Sequence, residues 1–575
     1  MNDDQGAPVR LDLAYRSAAL EAASSEGVDL LVIGGGVVGA GAALDAATRG
    51  LRVALVEAGD WGGGTSSRSS RLIHGGIRYL EQMDFALVRE ALVEQGLLLR
   101  RLAPHLVRPV RFLYPVQRGL PERLYVGTGM AMYDAFRFTR GRRLPLPPHK
   151  HLGRAEVLRE MPGLDPGAVR GGLAYYDGQV DDARLVVTLA RTAAALGARV
   201  ISRARVVDLL RSGGWVAGAR VRDELTGEER EIRARAVVNA TGVWTAQMQA
   251  LSPARPTLRV TMSKGVHLLV DRDRIDASMG LLLRTDRSVL FVIPWGRRWL
   301  IGTTDTPYTG DPAHPTVDSE DVSYLLDNVN RVLARPLRRE DILGVYAGLR
   351  PLVAAGDGGP TTKLSREHVV ETLEPGFTMI AGGKLTTYRV MARDVVDAAL
   401  ADASVAAPPS RTAEVPLVGA RRWRAARELA YELCRPAGLA DDATERLLWR
   451  YGDRLLDLLH LIDADAELGE PVADGHDALL AEARYAVEAE GALTLEDVLT
   501  RRLRLTGEVD DLSEEHLERV AAVVGEPLGW SEERRREEVS AYLAERARER
   551  EGAGLPPSAG EGAPDGRAVV GGRQA

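Results

Sequence analysis

The chain predicts an α/β fold: a doubly wound parallel sheet built to hold a dinucleotide, an inserted antiparallel sheet, and an all-α C-terminal domain. Three observations predict it. A G-x-G-x-x-G motif lies between two short apolar runs near the start. Residues 255 to 350 break into short strand-like stretches, and residues 420 to about 549 carry helical period throughout. At 575 residues the chain is too long for a single core.

The motif comes first. Leu30 to Ile33 is apolar and stopped at once by glycine, so it reads as a buried parallel strand. Gly34 permits a tight turn, Gly36 lets the backbone approach a pyrophosphate, and Gly39 lets the next helix pack close. An alanine-rich helix follows to about Arg49, and Leu51 to Val56 forms the second strand. Glu57 closes that strand 18 residues after Gly39, where an acid accepts hydrogen bonds from a ribose. Helix-start amides favour the diphosphate without any lysine.

The next loop, AGDWGGGTSSRSSRLIHGGIRYLE, is rich in glycine, hydroxyls and arginine. Its Thr65, Ser66, Ser67, Ser69 and Ser70 suit a second wrap around a diphosphate. Arg71, His74, Arg78 and Tyr79 make it more than a solvated connector. Asp84 to Leu102 has helical spacing. Residues 100 to 150 then carry eleven Lys/Arg against Glu122 and Asp134 only, interleaved with aromatic and aliphatic residues. That composition fits an anionic membrane surface, a solvated basic face, or arginines turned inward on an anionic substrate.

Residues 178 to 200 predict a long helix running into a strand, Val206 opens a hairpin, and Ala236 to Asn239 forms a strand ending in Ala240, Thr241 and Gly242. The strand-rich 255 to 350 block reads as a sheet able to cover a cofactor, with a helix near 318 to 335. GGKLTTYR then leads into a helix N-terminus with Lys384, Leu385 and Thr386, a further anion site. Residues 1–27 read as a flexible arm, 28–400 as the nucleotide-binding domain with capping parts at about 85–175 and 255–350, and 401–416 as a linker. Residues 417–549 read as the helical domain, with breaks at Pro436, at Pro471 and near Pro527; 550–575 reads as a disordered tail.

Composition narrows the function. The net charge of −7 gives no overall field to recruit nucleic acid. Cys434 is the only cysteine, which excludes a disulfide framework, cysteine-ligated iron–sulfur clusters and CxxC metal or redox sites, and no metal site is expected. The polar start shows no signal peptide, and no run reaches the ~18 apolar residues of a membrane span.

With these stretches in hand, the chain resembles the flavin-dependent glycerol-3-phosphate dehydrogenases, the respiratory, quinone-linked type. GGGVVGAGAALDAATRG, TSSRSSRLIHGGIRYLE, YYDGQVDDARLV, VVNATGVW, PWGRRWLIGTTDT with GLRPL, and AGGKLTTYR occur in that order. WRYGDR and EARYAVEAEGALTLEDVLTRRLRL extend the likeness into the helical domain. The resemblance implies an FAD-binding fold of the glycine/D-amino-acid-oxidase type, with non-covalent FAD. It implies sn-glycerol 3-phosphate as substrate, dihydroxyacetone phosphate as product, and a membrane quinone as acceptor. It places the protein in the cytoplasm, peripheral on the inner face of the membrane, and leaves a homodimer open.

A substrate with nearly two negative charges needs fixed cations, and the matching motifs supply Arg78, Arg350, Arg366 and Lys384. Tyr79 is a further substrate contact. The resemblance sets His267 near the reacting carbon as base, with Arg350 and Arg78 assisting; His74 could equally face the flavin. The expected FAD contacts are Gly34, Gly36, Gly39, Glu57, Thr65, Ser66, Ser70, Leu72, His74, Val206, Ala240, Gly242, Lys384, Leu385 and Thr386. Three other functions compete: an oxidase that passes electrons to oxygen, a flavin protein without turnover, and an amine or amino-acid oxidase. The absence of an extra block between 255 and 350 favours the dehydrogenase over the oxidase, and the set of cations disfavours the other two.

Overall fold

The computed structural model describes residues 9–76, 84–137, 146–254, 259–286, 289–354, 368–507 and 512–556. Two sheets and a helical domain account for them. In the first sheet, Val28–Ile33 lies between Val53–Val56 and Glu229–Asn239, both parallel to it, and Phe377–Gly382 extends the parallel set. Arg199–Ile201 adds a parallel strand beyond Val53–Val56. Leu30, Leu31 and Val32 are wholly buried, as a strand covered on both faces must be. The helix Val37–Thr48 is buried nearly all round, against the helices Asp182–Ala195 and Tyr388–Asp402.

The second sheet covers the first and is built from both capping parts. Arg259–Asp271 pairs antiparallel with Arg298–Gly302 on one side and Ile342–Ala354 on the other. Gly171–Gln179 pairs antiparallel with Arg108–Val116, which meets Gly280–Arg284 in parallel. That one parallel pair makes the sheet mixed rather than purely antiparallel. It is where the two separate capping parts of the chain join.

In the segment read as a flexible arm with a turn of helix near Leu11 to Leu20, Leu13–Glu26 forms a longer helix, capped by the Asp12 side chain. Arg16 anchors it: buried, it donates to the Ser202 and Arg203 carbonyls and pairs with Asp223 at 2.6 Å. An arginine whose three nitrogens all donate to groups far away in the chain holds a helix in place, which local sequence cannot reveal.

The C-terminal domain is helical from Trp423–Cys434 to Glu532–Gly552. The expected break near Pro527 comes slightly later. Pro527 lies in the last turn of Glu514–Leu528, and left-handed Gly529 ends the helix. The tail expected to be disordered from residue 550 remains packed through Ala553 and Leu555, which join the core under the second sheet; residues 557–575 lie outside the described set. Among the described residues no helix is long and apolar enough to cross a membrane.

Candidate active site

One cavity of about 1610 Å³ runs along the switch between the two sheets. Its walls pass from Gly34 and Gly36, beside Glu57, Thr65, Ser66 and Val206, to Ser70, Leu72 and His74. Ala240, Gly242, Lys384 and Leu385 line it from the strand ends, and His267 and Arg350 from the second sheet.

The cradle has no room for side chains. Gly34 has φ +107, and a Cβ there would lie 2.8 Å from the Ala240 carbonyl oxygen. A Cβ on Gly39 would fall 1.8 Å from the Gly34 carbonyl oxygen, so the helix can rest on its own turn only if that residue is glycine. Gly36 is the N-cap of the helix, and the Val37 amide donates to the Ser66 hydroxyl at 3.0 Å. The helix start, with its positive end and the Ser66 hydroxyl beside it, forms a place for a diphosphate. Glu57 accepts the Gly35 amide at 2.6 Å and the Gly59 amide at 2.7 Å. Burial raises its carboxyl above the usual range despite those amides. Each oxygen keeps a lone pair for a ribose hydroxyl. This donor and acceptor set fits a dinucleotide without any metal.

Two of the expected contacts sit off the cavity wall. Gly39 acts through helix packing. Thr386 is buried, and its hydroxyl accepts the His74 amide at 3.1 Å and donates to the His74 carbonyl at 3.0 Å, which fixes that loop against GGKLTTYR. Arg78, Tyr79 and Arg366 lie outside the described residues.

The reactive end is set by strand register. His267 lies opposite Gly302 on one neighbour and Tyr346 on the other. A Cβ on Gly302 would meet the His267 ring at 2.3 Å, so glycine leaves the space the imidazole occupies. Tyr346 stacks on the ring at 4.8 Å, and the Ser70 hydroxyl lies 2.9 Å from Nε2. Burial, then the positive charges of Arg350 and Arg71, hold the imidazole well below its ordinary value of 6.5. It is therefore neutral at pH 7, the form that accepts a proton.

Arg350 sits four pairs further along the same register, opposite Ser263. It donates to the Thr304 carbonyl at 3.2 Å and the Thr303 hydroxyl at 3.1 Å, with Asp305 at 3.9 Å. A Cβ on Gly265 would meet its guanidinium at 2.5 Å. The glycines in SKGVH and IGTTD thus make room for the Arg350 and His267 side chains.

The sequence reading missed several residues here. Tyr346 was visible in LGVYAGLRPL, but only pairing across strands sets it on His267. Arg68 also lines the cavity, where burial lowers its guanidinium below the usual range. Arg71 was noted, yet it turns behind the site, 4.1 Å over the Trp295 ring.

Comparison with known proteins agrees with this arrangement. The FAD dependent oxidoreductase family model matches residues 29–389, and the model for the C-terminal domain of alpha-glycerophosphate oxidase matches residues 410–535. Glycerol-3-phosphate dehydrogenase of Mycobacterium leprae is 50% identical over 529 residues, covering 92% of this chain and 90% of the relative. Glycerol-3-phosphate dehydrogenase 2 of Mycobacterium tuberculosis is 49% identical over 541 residues, covering 94% and 92%. The crystal structure of the Bacillus halodurans glycerol-3-phosphate dehydrogenase, complexed with FAD, superposes with a TM-score of 0.76 at 29% identity, covering 93% of this chain and 97% of that one. The dinucleotide for which the cradle is shaped is FAD. The chain belongs to the family of FAD-dependent glycerol-3-phosphate dehydrogenases.

Proposed function

We propose that the protein oxidises sn-glycerol 3-phosphate at C2 to dihydroxyacetone phosphate and passes the electrons to a membrane quinone. The observation that carries this reading is the convergence of a neutral, buried His267 and the cations Arg350 and Lys384 on the cavity that the glycine cradle opens. Bound FAD, held without a covalent link by the cradle, supplies the acceptor for the hydride that leaves C2. His267 takes the C2 hydroxyl proton at Nε2, and Ser70 and Tyr346 keep its ring turned for that transfer. Arg350 stabilises the negative charge that grows on the C2 oxygen. Lys384, with Arg78 and Arg366, neutralises the phosphate.

The membrane part rests on the helix Leu120–Arg137. Leu120, Leu124 and Tyr125 are 67%, 62% and 58% exposed, and the latter two also line the cavity. An exposed apolar face at the mouth of a redox cavity suits a lipid surface carrying an apolar acceptor, on the inner face of the cell membrane. The basic stretch contributes less than its composition suggests. Arg108 is half-buried 4.5 Å over the Trp449 ring, Arg111 pairs with Glu160 at 2.6 Å, and Lys150 pairs with Glu156 at 2.6 Å.

The test is steady-state oxidation of glycerol 3-phosphate by the purified flavoprotein, following reduction of a quinone analogue and uptake of oxygen side by side. Quinone reduction with little oxygen uptake supports the proposal. Stoichiometric hydrogen peroxide would assign the oxidase activity instead, and no flavin reduction by glycerol 3-phosphate would reject the substrate.

A further inference from the structure

We infer that Arg504, on the helical C-terminal domain, is a positioning residue for proton transfer at His267, acting through Asp182, Ser69 and Tyr346. This rests on the reading of His267 as the base. It also gives the helical domain a part in the chemistry, although it contributes no group to the cavity wall.

The chain of contacts is continuous, running from the buried Arg504 and Asp182 to the half-buried Ser69 and Tyr346. Arg504 follows the irregular turn Asp497–Arg502 and has φ +63, a left-handed conformation that a side-chain-bearing residue adopts only when its surroundings hold it there. From there it reaches into the nucleotide-binding domain, donating to the Ser67 carbonyl at 2.9 Å and to Asp182 Oδ1, with Asp181 3.3 Å from its Nε. Asp182 is wholly buried. Its Oδ1 also accepts the Ala183 amide, and its Oδ2 accepts both the amide of Ser69 at 2.9 Å and the hydroxyl at 2.6 Å.

Ser69 passes the constraint on from both of its polar groups. Its hydroxyl accepts the Arg71 amide at 3.0 Å, and its carbonyl accepts the Tyr346 hydroxyl at 2.7 Å. Tyr346 lies flat on His267, and Ser70, the next residue, supplies the hydroxyl 2.9 Å from Nε2. Both supports of the imidazole therefore hang from the Ser69–Ser70 backbone, and that backbone hangs from Asp182. Arg504 is the cation paired with Asp182 Oδ1 among the described residues, and replacing it removes that charge. A buried carboxylate left so must protonate or draw in water, and either change loosens its hold on Ser69.

The charges that act on His267 are Arg350 from one neighbouring strand and Arg71 from the loop; Tyr346 faces it as a titratable group without acting on its charge, and Gly302 on the other neighbour brings none. Burial pushes the Tyr346 hydroxyl up to about 12, so it stays neutral in the working range. Water admitted beside the ring would move His267 up towards 6.5, and the acid limb of kcat/KM would move up with it.

The experiment compares Arg504→Met, Arg504→Lys, Ser69→Ala and the double variant Arg504→Met/Ser69→Ala as FAD-loaded enzymes, with His267→Asn as reference. We expect Arg504→Met and Ser69→Ala each to lower kcat roughly 10- to 100-fold, with KM for glycerol 3-phosphate and flavin content little changed. Both should raise the pH of the acid limb. Arg504→Lys should recover part of the loss. The double variant should be no worse than the more damaged single one, because both break the same chain. Additive losses, or an unmoved acid limb in flavin-loaded Ser69→Ala, would overturn the inference, and the latter holds even where Arg504→Met does not fold. If His267→Asn left the acid limb in place, the base assignment itself would fail. If it abolished the limb while the other variants left it unmoved, only the role of Arg504 would fail.

Discussion

The Tyr346 ring lies 4.8 Å from that of His267 and within 17° of parallel to it. The two strands that carry them are paired residue for residue here, so the stack follows from register. His267 cannot rotate without moving a buried strand.

A fixed, neutral imidazole predicts a steep loss on its removal. His267→Asn should lower kcat by about 10²- to 10⁴-fold, the usual worth of a positioned general base. The yellow flavin should remain bound, because the cradle lies elsewhere on the cavity wall. Stopped-flow flavin reduction by glycerol 3-phosphate measures it, and near-normal reduction would remove His267 from the mechanism.

The two glycines that admit the reactive side chains should fail differently. Gly302→Ala places a Cβ 2.3 Å from the His267 ring, which is stacked and hydrogen-bonded and cannot give way, so kcat should collapse. Gly265→Ala meets the far end of Arg350, 2.5 Å away, and that side chain can swing aside. Because Arg350 acts on the charge that grows at the C2 oxygen, the main effect should be a fall in kcat of about tenfold, smaller than for Gly302→Ala, with little change in KM. Equal effects on kcat would show that the two residues share one role.

The cofactor cradle was legible in the sequence because its requirements are local. A turn with φ +107 and a Cβ clash at 1.8 Å demand glycine whatever the rest of the chain does. The contacts between domains were not legible. Arg16, Arg184 and Arg504 are all buried, yet an arginine in a sequence reads as surface until its carboxylate partner is known, and Glu490 lies 306 residues from Arg184. The same blindness overstated the basic stretch, where Arg108 faces inward onto Trp449. His267 and Arg350 could be named from motifs, whereas their geometry needed the strand pairing.

Gly39→Ala should abolish FAD binding, since relief of a 1.8 Å contact with the Gly34 carbonyl must move either the helix start or the turn. Absorbance of the purified variant near the flavin bands measures it. Retention of a full complement of FAD would mean that the helix can shift without cost to the diphosphate site.

The exposed face of Leu120–Arg137 predicts a separable defect. Leu120 is 67% exposed and does not line the cavity, so Leu120→Glu should leave reduction of a soluble dye unchanged. Co-sedimentation with anionic vesicles should fall several-fold, by the loss of buried apolar area and the added repulsion. Unchanged sedimentation would place the membrane contact on another face.

Stability should fall on the acid side in two stages. Burial holds His105 down to about 3 and His476 to about 4, and His267 is lowered in the same direction. A histidine whose folded value lies below its unfolded 6.5 stays neutral in the native state while the unfolded chain gains a proton. Its contribution is therefore intact above about pH 6.5 and is lost as the pH drops towards the folded value, at up to about 1.4 kcal/mol per pH unit for each group. Asp497 behaves otherwise. Burial pushes its carboxyl up, but Arg203, Arg501 and Arg502 together outweigh burial and hold it below 3.8. Its contribution persists until the pH falls below that value, so the second stage begins only there. Melting temperature measured from pH 8 to pH 3 should show a plateau, a decline beginning near pH 6.5, and a steeper loss below about pH 4, where the unfolded chain gains a proton at Asp497 that the folded protein still refuses. Replacing His105 with Gln should flatten the first decline without changing the second. A melting temperature that stayed level down to pH 4 would mean that the buried histidines reach water in the native protein, and so are not held in their neutral form by the fold.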